Sequence, residues 1–286
     1  LFTKILGIMS FYPQPYKYQC GPFALKYGLV MLGRFENERE IGKRAGSTWW
    51  YGTDEIGLAK AAKYYNCKMK YFRRETPEDA IKALITNLKG GNPCILSVDN
   101  WEHWFTVINE QQNKFIVVDS GKDKVIVIYT AKQLAKRWKY VDDDTGYVSY
   151  DGYALSSKFK PATKAKFSLE KARYVMRNRN KELAEKWDTY FNDLINICRP
   201  RTPLSKKTIS FNEFLRRYEN LLVRQVAHWH GLPSYKELGR ILKNLQFVAE
   251  VYDLVIYIED QKKALIDLAS LLMMYACGKY GMDPIY

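Results

Sequence analysis

Apolar positions along this chain change their period partway, and the change divides it. From Gly21 to about Leu32, the residues Phe23, Leu25, Tyr27 and Leu29–Leu32 predict a largely buried helix. Pro22 suits the first turn of that helix, where a missing N–H costs nothing. Shorter helices are predicted at Glu38–Ala45, from Thr53-Asp54-Glu55 to about Tyr65, and from Thr76-Pro77-Glu78-Asp79 to Gly90-Gly91. Cys67–Phe72 alternates like a strand, and short β-rich runs between Asn- and Gly-containing turns predict strands at Cys94–Val98, His103–Ile108, Lys114–Val118 and Lys124–Tyr129, with Asn109–Asn113 as a hairpin turn. Ala131–Trp138 reads as a helix and Tyr147–Tyr153 as a last strand.

Beyond Lys158–Lys166, a polar segment containing Pro161 that reads as a linker, the pattern becomes helical. Helices are predicted at Ser168–Cys198, Ser210–Trp229 and Ser234–Gly278, the last with a break near Tyr257–Asp260. Ser168, Ser210 and Ser234 are suitable N-caps, and Glu213 and Glu237 stand where a capping box needs them. The expected architecture is therefore an α+β domain over residues 1–160 followed by an all-α helical bundle over residues 161–286. A chain of 286 residues is long enough for two cores.

Composition adds exclusions. Hydrophobic residues make up 47% and charged residues 27%, which rules out large-scale disorder. The net charge of +14 divides evenly between the two halves, as a solvated basic surface does and a dedicated nucleic-acid groove does not. Five cysteines without a CxxC pair argue against a disulfide framework and a zinc site, and favour a reducing compartment. The lone His228-Trp229-His230 lacks the flanking ligands a metal needs. No cofactor and no metal are expected. The apolar stretch Ala264–Gly278 is too short to span a bilayer. Leu1–Met9 is apolar but lacks a signal peptide's charged start and cleavage site, so it points to no address. Its Leu1 start reads as processing, trimming or a true beginning elsewhere.

The candidate chemistry lies in Gln14, Cys20, His103 and Asp119. A thiol attacks as its thiolate, and a position at the start of a helix supplies partial positive charge for that anion. His103 is the only histidine before residue 228 and is the candidate base. Asp119, after the next strand, could accept an imidazole N–H and set the tautomer, although Asp119-Ser120-Gly121 could equally be a simple turn. Gln14 could offer its amide to a developing oxyanion, beside the backbone N–H of Cys20. Cys67, Cys94, Cys198 and Cys277 read as packing residues.

Gln14-x5-Cys20-Gly21-Pro22, Gly52-Thr53, Asn92–Val98 leading to His103, and then Asp119 resemble peptidase family C39 and its C39-like relatives in the papain clan, over about residues 8–155. The resemblance implies a papain-like fold with Cys20 as nucleophile, His103 as base, Asp119 as its orienter and Gln14 in the oxyanion hole. It implies a thiol peptidase acting on a peptide or protein through an acyl-enzyme. Two departures stand out. Members fused to export transporters cut after a Gly-Gly leader, but no membrane domain or nucleotide-binding motif is seen here. Gln19 also stands where many members carry Asp.

The helical half is expected to recruit substrate, cover the cleft or join an assembly. Two rival readings keep the same domain: a deamidase or transglutaminase-like effector using the same residues, and a non-enzymatic structural or interaction protein of a viral particle or toxin complex. Nucleic-acid binding through the helical half is disfavoured.

Overall fold

The structure, a computed structural model, describes residues 9–158, 163–202 and 207–282. The amino-terminal stretch before Met9 and the middle of the predicted linker therefore lie outside the described residues. The chain divides into two compact units, Leu1–Lys186 and Trp187–Tyr286.

The first unit opens with an extended arm and a 3-10 turn at Lys17–Gln19, followed by helices α1 (Cys20–Met31), α2 (Glu38–Ala45) and α3 (Glu55–Tyr64). Strand β1 (Cys67–Arg74) and helix α4 (Pro77–Lys89) come next, then β2 (Cys94–Val98), β3 (His103–Gln111), β4 (Lys114–Val118) and β5 (Ile126–Thr130). Helix α5 (Ala131–Trp138), β6 (Lys139–Val141) and β7 (Val148–Ser157) complete the sheet, and α6 (Leu169–Val175) and α7 (Lys181–Glu185) close the unit. The helix starts follow their caps: Asn37, Asp54 and Thr76 each accept a backbone N–H of the first turn, and Thr130 forms a full capping box with Gln133.

The seven-stranded sheet runs β1-β7-β2-β3-β4-β5, with β6 beside β7, and its described pairs are antiparallel. Side chains alternate between its faces. Ile95, Trp104 and Leu155 join Ala24, Leu25 and Leu29 of α1 and Leu58 of α3 in one core. Leu96, Phe105, Val107 and Phe115 join Ala80 and Leu84 of α4 and Leu134 and Trp138 of α5 in the other. Helices thus cover both faces of the sheet, and the unit is of the expected α+β class.

The β3–β4 hairpin differs from its prediction. Strand β3 continues to Gln111, and the turn is Gln112-Asn113, both in the left-handed region at φ 56°. That conformation matches the twist of a two-residue hairpin. The extra length is absorbed by a bulge between Val107 and Asn109. Asn109 and Gln111 then hold the following segment, with Asn109 Nδ2 donating to Phe167 O at 2.6 Å and Leu169 N donating to Gln111 Oε1 at 3.0 Å. Ala165 N also donates to Met31 O, and Ser10 and Phe11 donate to the carbonyls of Glu185 and Ala184. Residues 163–186 are thus part of the first unit, whereas the sequence reading placed its boundary at residue 160. Hydrophobic period marks helices but does not say which core they cover.

The second unit holds α8 (Trp187–Ile197), β8 (Arg199–Pro200), β9 (Thr208–Ser210), α9 (Phe211–His230), α10 (Tyr235–Val251), β10 (Leu254–Tyr257) and α11 (Gln261–Tyr280). The expectation of an all-α bundle is corrected here. Three strands pair in the order β8-β10-β9. Asp253, at φ 53°, ends the helical path, and Leu254-Val255-Ile256-Tyr257 follows with the residue types that favour a buried strand. The single predicted helix over Ser168–Cys198 is also divided, into α6, a 3-10 turn at Asn178–Asn180, α7 and α8.

Candidate active site

Cys20 is the first residue of α1, and its side chain is buried at 5% exposure. Close packing seats that helix start. A Cβ on Gly21 would lie 2.8 Å from Thr53 Cβ, so only glycine admits the Thr53 contact. Thr53 Oγ1 lies 2.6 Å from Ser47 Oγ, and Thr53 O accepts from Trp104 Nε1 at 3.0 Å. Farther along α1, buried Thr106 of β3 donates to Ala24 O at 2.6 Å. The helix bearing Cys20 is therefore registered against the strand bearing His103.

His103 begins β3, opposite Val98 of β2. Its Nε2 lies 2.7 Å from Asp119 Oδ1, and Asp119 directly follows β4 with no exposed surface. Cys20 is near enough to the His103 ring to act on its protonation. Burial opposes charge on this imidazole, but the bonds to Asp119 and Cys20 and their charges outweigh it, leaving the pKa raised to about 9. Asp119 shows the mirror balance. Burial would raise its pKa, whereas bonds from His103 and Arg137 with their positive charge bring it down to about 2. Asp119 Oδ1 also accepts from Gly121 N at 3.0 Å, so the same carboxylate that meets His103 closes the turn after β4. Position 121 is glycine where a Cβ would stand 3.2 Å from both Asp119 Oδ1 and His103 Cε1.

Arg137 escaped the sequence reading. Its Nη1 donates to Asp119 Oδ2 at 2.7 Å and to Tyr129 Oη at 3.0 Å, while Nε and Nη2 grip the Asp99 carboxylate. Asp99, Asn100 and Trp101 form the turn before His103 with φ of 54°, 59° and 68°. Such residues cost on the order of 1–3 kcal/mol each unless their surroundings hold them. Arg137 holds one end through Asp99, and Trp101 stacks on Tyr140 at 3.9 Å between ring centroids. A basic residue in the last turn of α5 carries no sequence signal for such a role; only the folded sheet brings it to Asp119.

Gln14 is brought to the same region by a route the sequence did not suggest. Its Oε1 accepts from Ser120 Oγ at 2.5 Å, and its backbone N–H donates to Ser120 O at 2.9 Å. Its amide Nε2 donates to Tyr16 O at 3.0 Å and Lys17 O at 2.9 Å. Both amide N–H groups therefore close the loop leading to Cys20. The arm is anchored by Lys26, a fully buried lysine of α1 whose Nζ binds Met9 O and lies 2.9 Å from Glu38 Oε2. Lys26 reads in sequence as an ordinary helix residue.

The other cysteines are free thiols. Burial pushes the Cys67 thiol up to about 11 and the Cys94 and Cys198 thiols higher still. His230 Nε2 donates to Gly281 O at 2.9 Å. Among the described residues no group of three or more metal-ligating side chains occurs, and no helix is long and apolar enough to cross a membrane.

No family model matches this sequence, and no curated protein matches it. Solved structures do resemble it, and they are C39 papain-like peptidase domains covering about half of the chain. The peptidase domain of Streptococcus ComA, a bi-functional ABC transporter involved in quorum sensing, shares 18% identity at a TM-score of 0.40, over 52% of this chain and 99% of its own. A double glycine motif protease from an AMS/PCAT transporter, in complex with the leader peptide, shares 19% at 0.38, over 52% and 92%. A putative C39-like peptidase from Bacillus anthracis shares 16% at 0.39, over 55% and 98%.

Proposed function

We propose that the first unit is a cysteine peptidase that cleaves peptide bonds through Cys20, His103 and Asp119. The observation that carries this reading is the His103 imidazole, held 2.7 Å from the buried Asp119 carboxylate and raised in pKa by both Asp119 and the thiol at the start of α1. In the reaction, Cys20 Sγ attacks the scissile carbonyl carbon and His103 delivers its proton to the departing amine, leaving a thioester. Water then attacks the thioester carbon, with His103 taking the proton and Sγ leaving. Asp119 stays ionised throughout and holds the ring with Nε2 turned away from the sulfur, the role of an orienting carboxylate.

The oxyanion is assigned to backbone N–H groups at the start of α1, which a helix leaves without internal partners. Gln14 joins them by releasing its bond to Tyr16 O or Lys17 O. Its standing role is to tie the loop before Cys20 to the turn after Asp119. The second unit is assigned substrate recruitment.

Iodoacetamide at mildly acidic pH tests this reading. Cys20 should be alkylated well ahead of the other four cysteines, and His103→Ala should remove that advantage. Peptides retained by Cys20→Ala and cut by the unaltered chain would identify the substrate by mass spectrometry. Alkylation of Cys20 no faster than that of Cys277 would defeat the proposal, and release of ammonia without chain cleavage would turn it into a deamidase.

A further inference from the structure

Strand β1 ends the sheet. It pairs with β7 from Cys67↔Ser157 to Arg74↔Tyr150, and no described strand lies on its other side. A strand in that position turns alternate N–H and C=O groups outward. Beside this edge runs a groove of about 650 Å³, lined on the strand by Lys70–Arg74 and on α4 by Asp79, Lys82, Ala83, Thr86 and Asn87. Its position is independent of the Cys20 site, which lies at β3, β4 and α1.

The faces of β1 can be assigned from the two cores. Cys67 and Met69 pack with α1 and α3, whereas Phe72 packs with α4. By strand alternation Lys70 and Arg74 then lie on the α4 side, flanking Phe72. Together with Lys82 they face the groove against a single carboxylate, that of Asp79. Arg73 points to the opposite face, where it pairs with Asp151 at 2.6 Å. The five strand residues span about 16 Å at the usual rise.

We infer that this groove binds an extended acidic peptide, which adds to β1 as an eighth strand alongside α4. The main-chain edge supplies hydrogen bonds in register once Arg74 Nη1 releases Arg73 O, to which it donates at 2.6 Å, and the three cations select acidic side chains on the face turned to the groove. The same charges argue against a second copy of β1 as the occupant, because pairing it here would set Lys70 and Arg74 among their own kind. A nucleic acid would satisfy the cations but could not continue the strand ladder.

Fluorescence anisotropy with a labelled alternating Glu-Val octapeptide tests the inference on the full chain. Binding is expected, with the Kd raised at least tenfold by the Lys70→Glu, Lys82→Glu double substitution. Methylation of alternate backbone nitrogens of the peptide should weaken binding to a similar degree, although its charge is unchanged. An alternating Lys-Val octapeptide should not bind. The inference is overturned if the Glu-Val peptide does not bind, if every pattern of N-methylation leaves its Kd unchanged, or if a thymidine oligonucleotide binds the groove and the peptide does not. Iodoacetamide labelling of Cys20 in the double variant should match that of the unaltered chain, so the groove and the peptidase reading stand or fall separately.

Discussion

The two halves of the candidate site are held by different forces. On the sheet side, Asp119 is fully buried and accepts from His103, Gly121 and Arg137, with charge on both sides of two of those bonds. On the arm side, Gln14 is held by neutral bonds of 2.5–3.0 Å to Ser120 and to the carbonyls of its own loop. Charge-assisted bonds are roughly twice as strong as neutral ones. The imidazole is therefore set by the stronger of the two networks and the loop before the thiol by the weaker.

The largest effect should come from the group both halves serve. Cys20→Ala is expected to lower kcat at least ~10⁴-fold, as removal of a nucleophile does in a triad, with little change in thermal stability. Turnover by this variant within tenfold of the unaltered chain would remove Cys20 from the chemistry. Breaking the stronger side comes next. Arg137→Gln leaves Asp119 with His103 as its remaining cation and takes the guanidinium from Asp99, and should cost about 1.5–3 kcal/mol in denaturant unfolding for each charge-assisted bond lost. Arg137→Lys should recover part of it, since one charge returns without the two-carboxylate grip. A neutral result for Arg137→Gln would show that the network is not the stronger half.

Gln14→Ala breaks the arm side and should cost less stability, about 0.5–1.5 kcal/mol for each net bond lost. Its effect on turnover separates two roles. A tenfold or greater fall in kcat is expected if the amide turns to the oxyanion, whereas a change in KM alone would leave it as a loop tie.

The pH dependence gives the smallest and sharpest contrast. His103 carries a raised pKa of about 9, so the stability its charged form contributes is complete below about 6.5 and is lost as pH rises through about 9. Asp119 carries a lowered pKa of about 2, so its contribution is complete above about 3.8 and is lost as pH falls through about 2. Stability from this pair should be flat between those limits. Alkylation of Cys20 should change near pH 9, and Asp119→Asn should move that change to lower pH. An alkaline limb that stays in place in Asp119→Asn would mean that the carboxylate does not hold the imidazolium.

Local chemistry made much of this protein legible in advance. Pro22 and the apolar run after it marked α1, Thr76-Pro77 marked α4, and short apolar runs bounded by turn residues marked β2 and β4 to the residue. Gln14, Cys20, His103 and Asp119 stood out because their residue types in that order match a known chemistry, and the fold brings all four to one region. Capping, helix periodicity and strand alternation act over a few residues, so the sequence states them openly. The tertiary structure decided what depends on residues distant in the chain. It buried Lys26 beneath the arm, carried Arg137 to Asp119, turned the amide of Gln14 onto its own loop, and drew residues 163–186 onto the first unit. It also placed Leu254–Tyr257 between two short strands where helix alone was expected. Each of these outcomes depends on which surfaces meet, and the energy of a meeting between distant residues leaves no periodic trace along the chain.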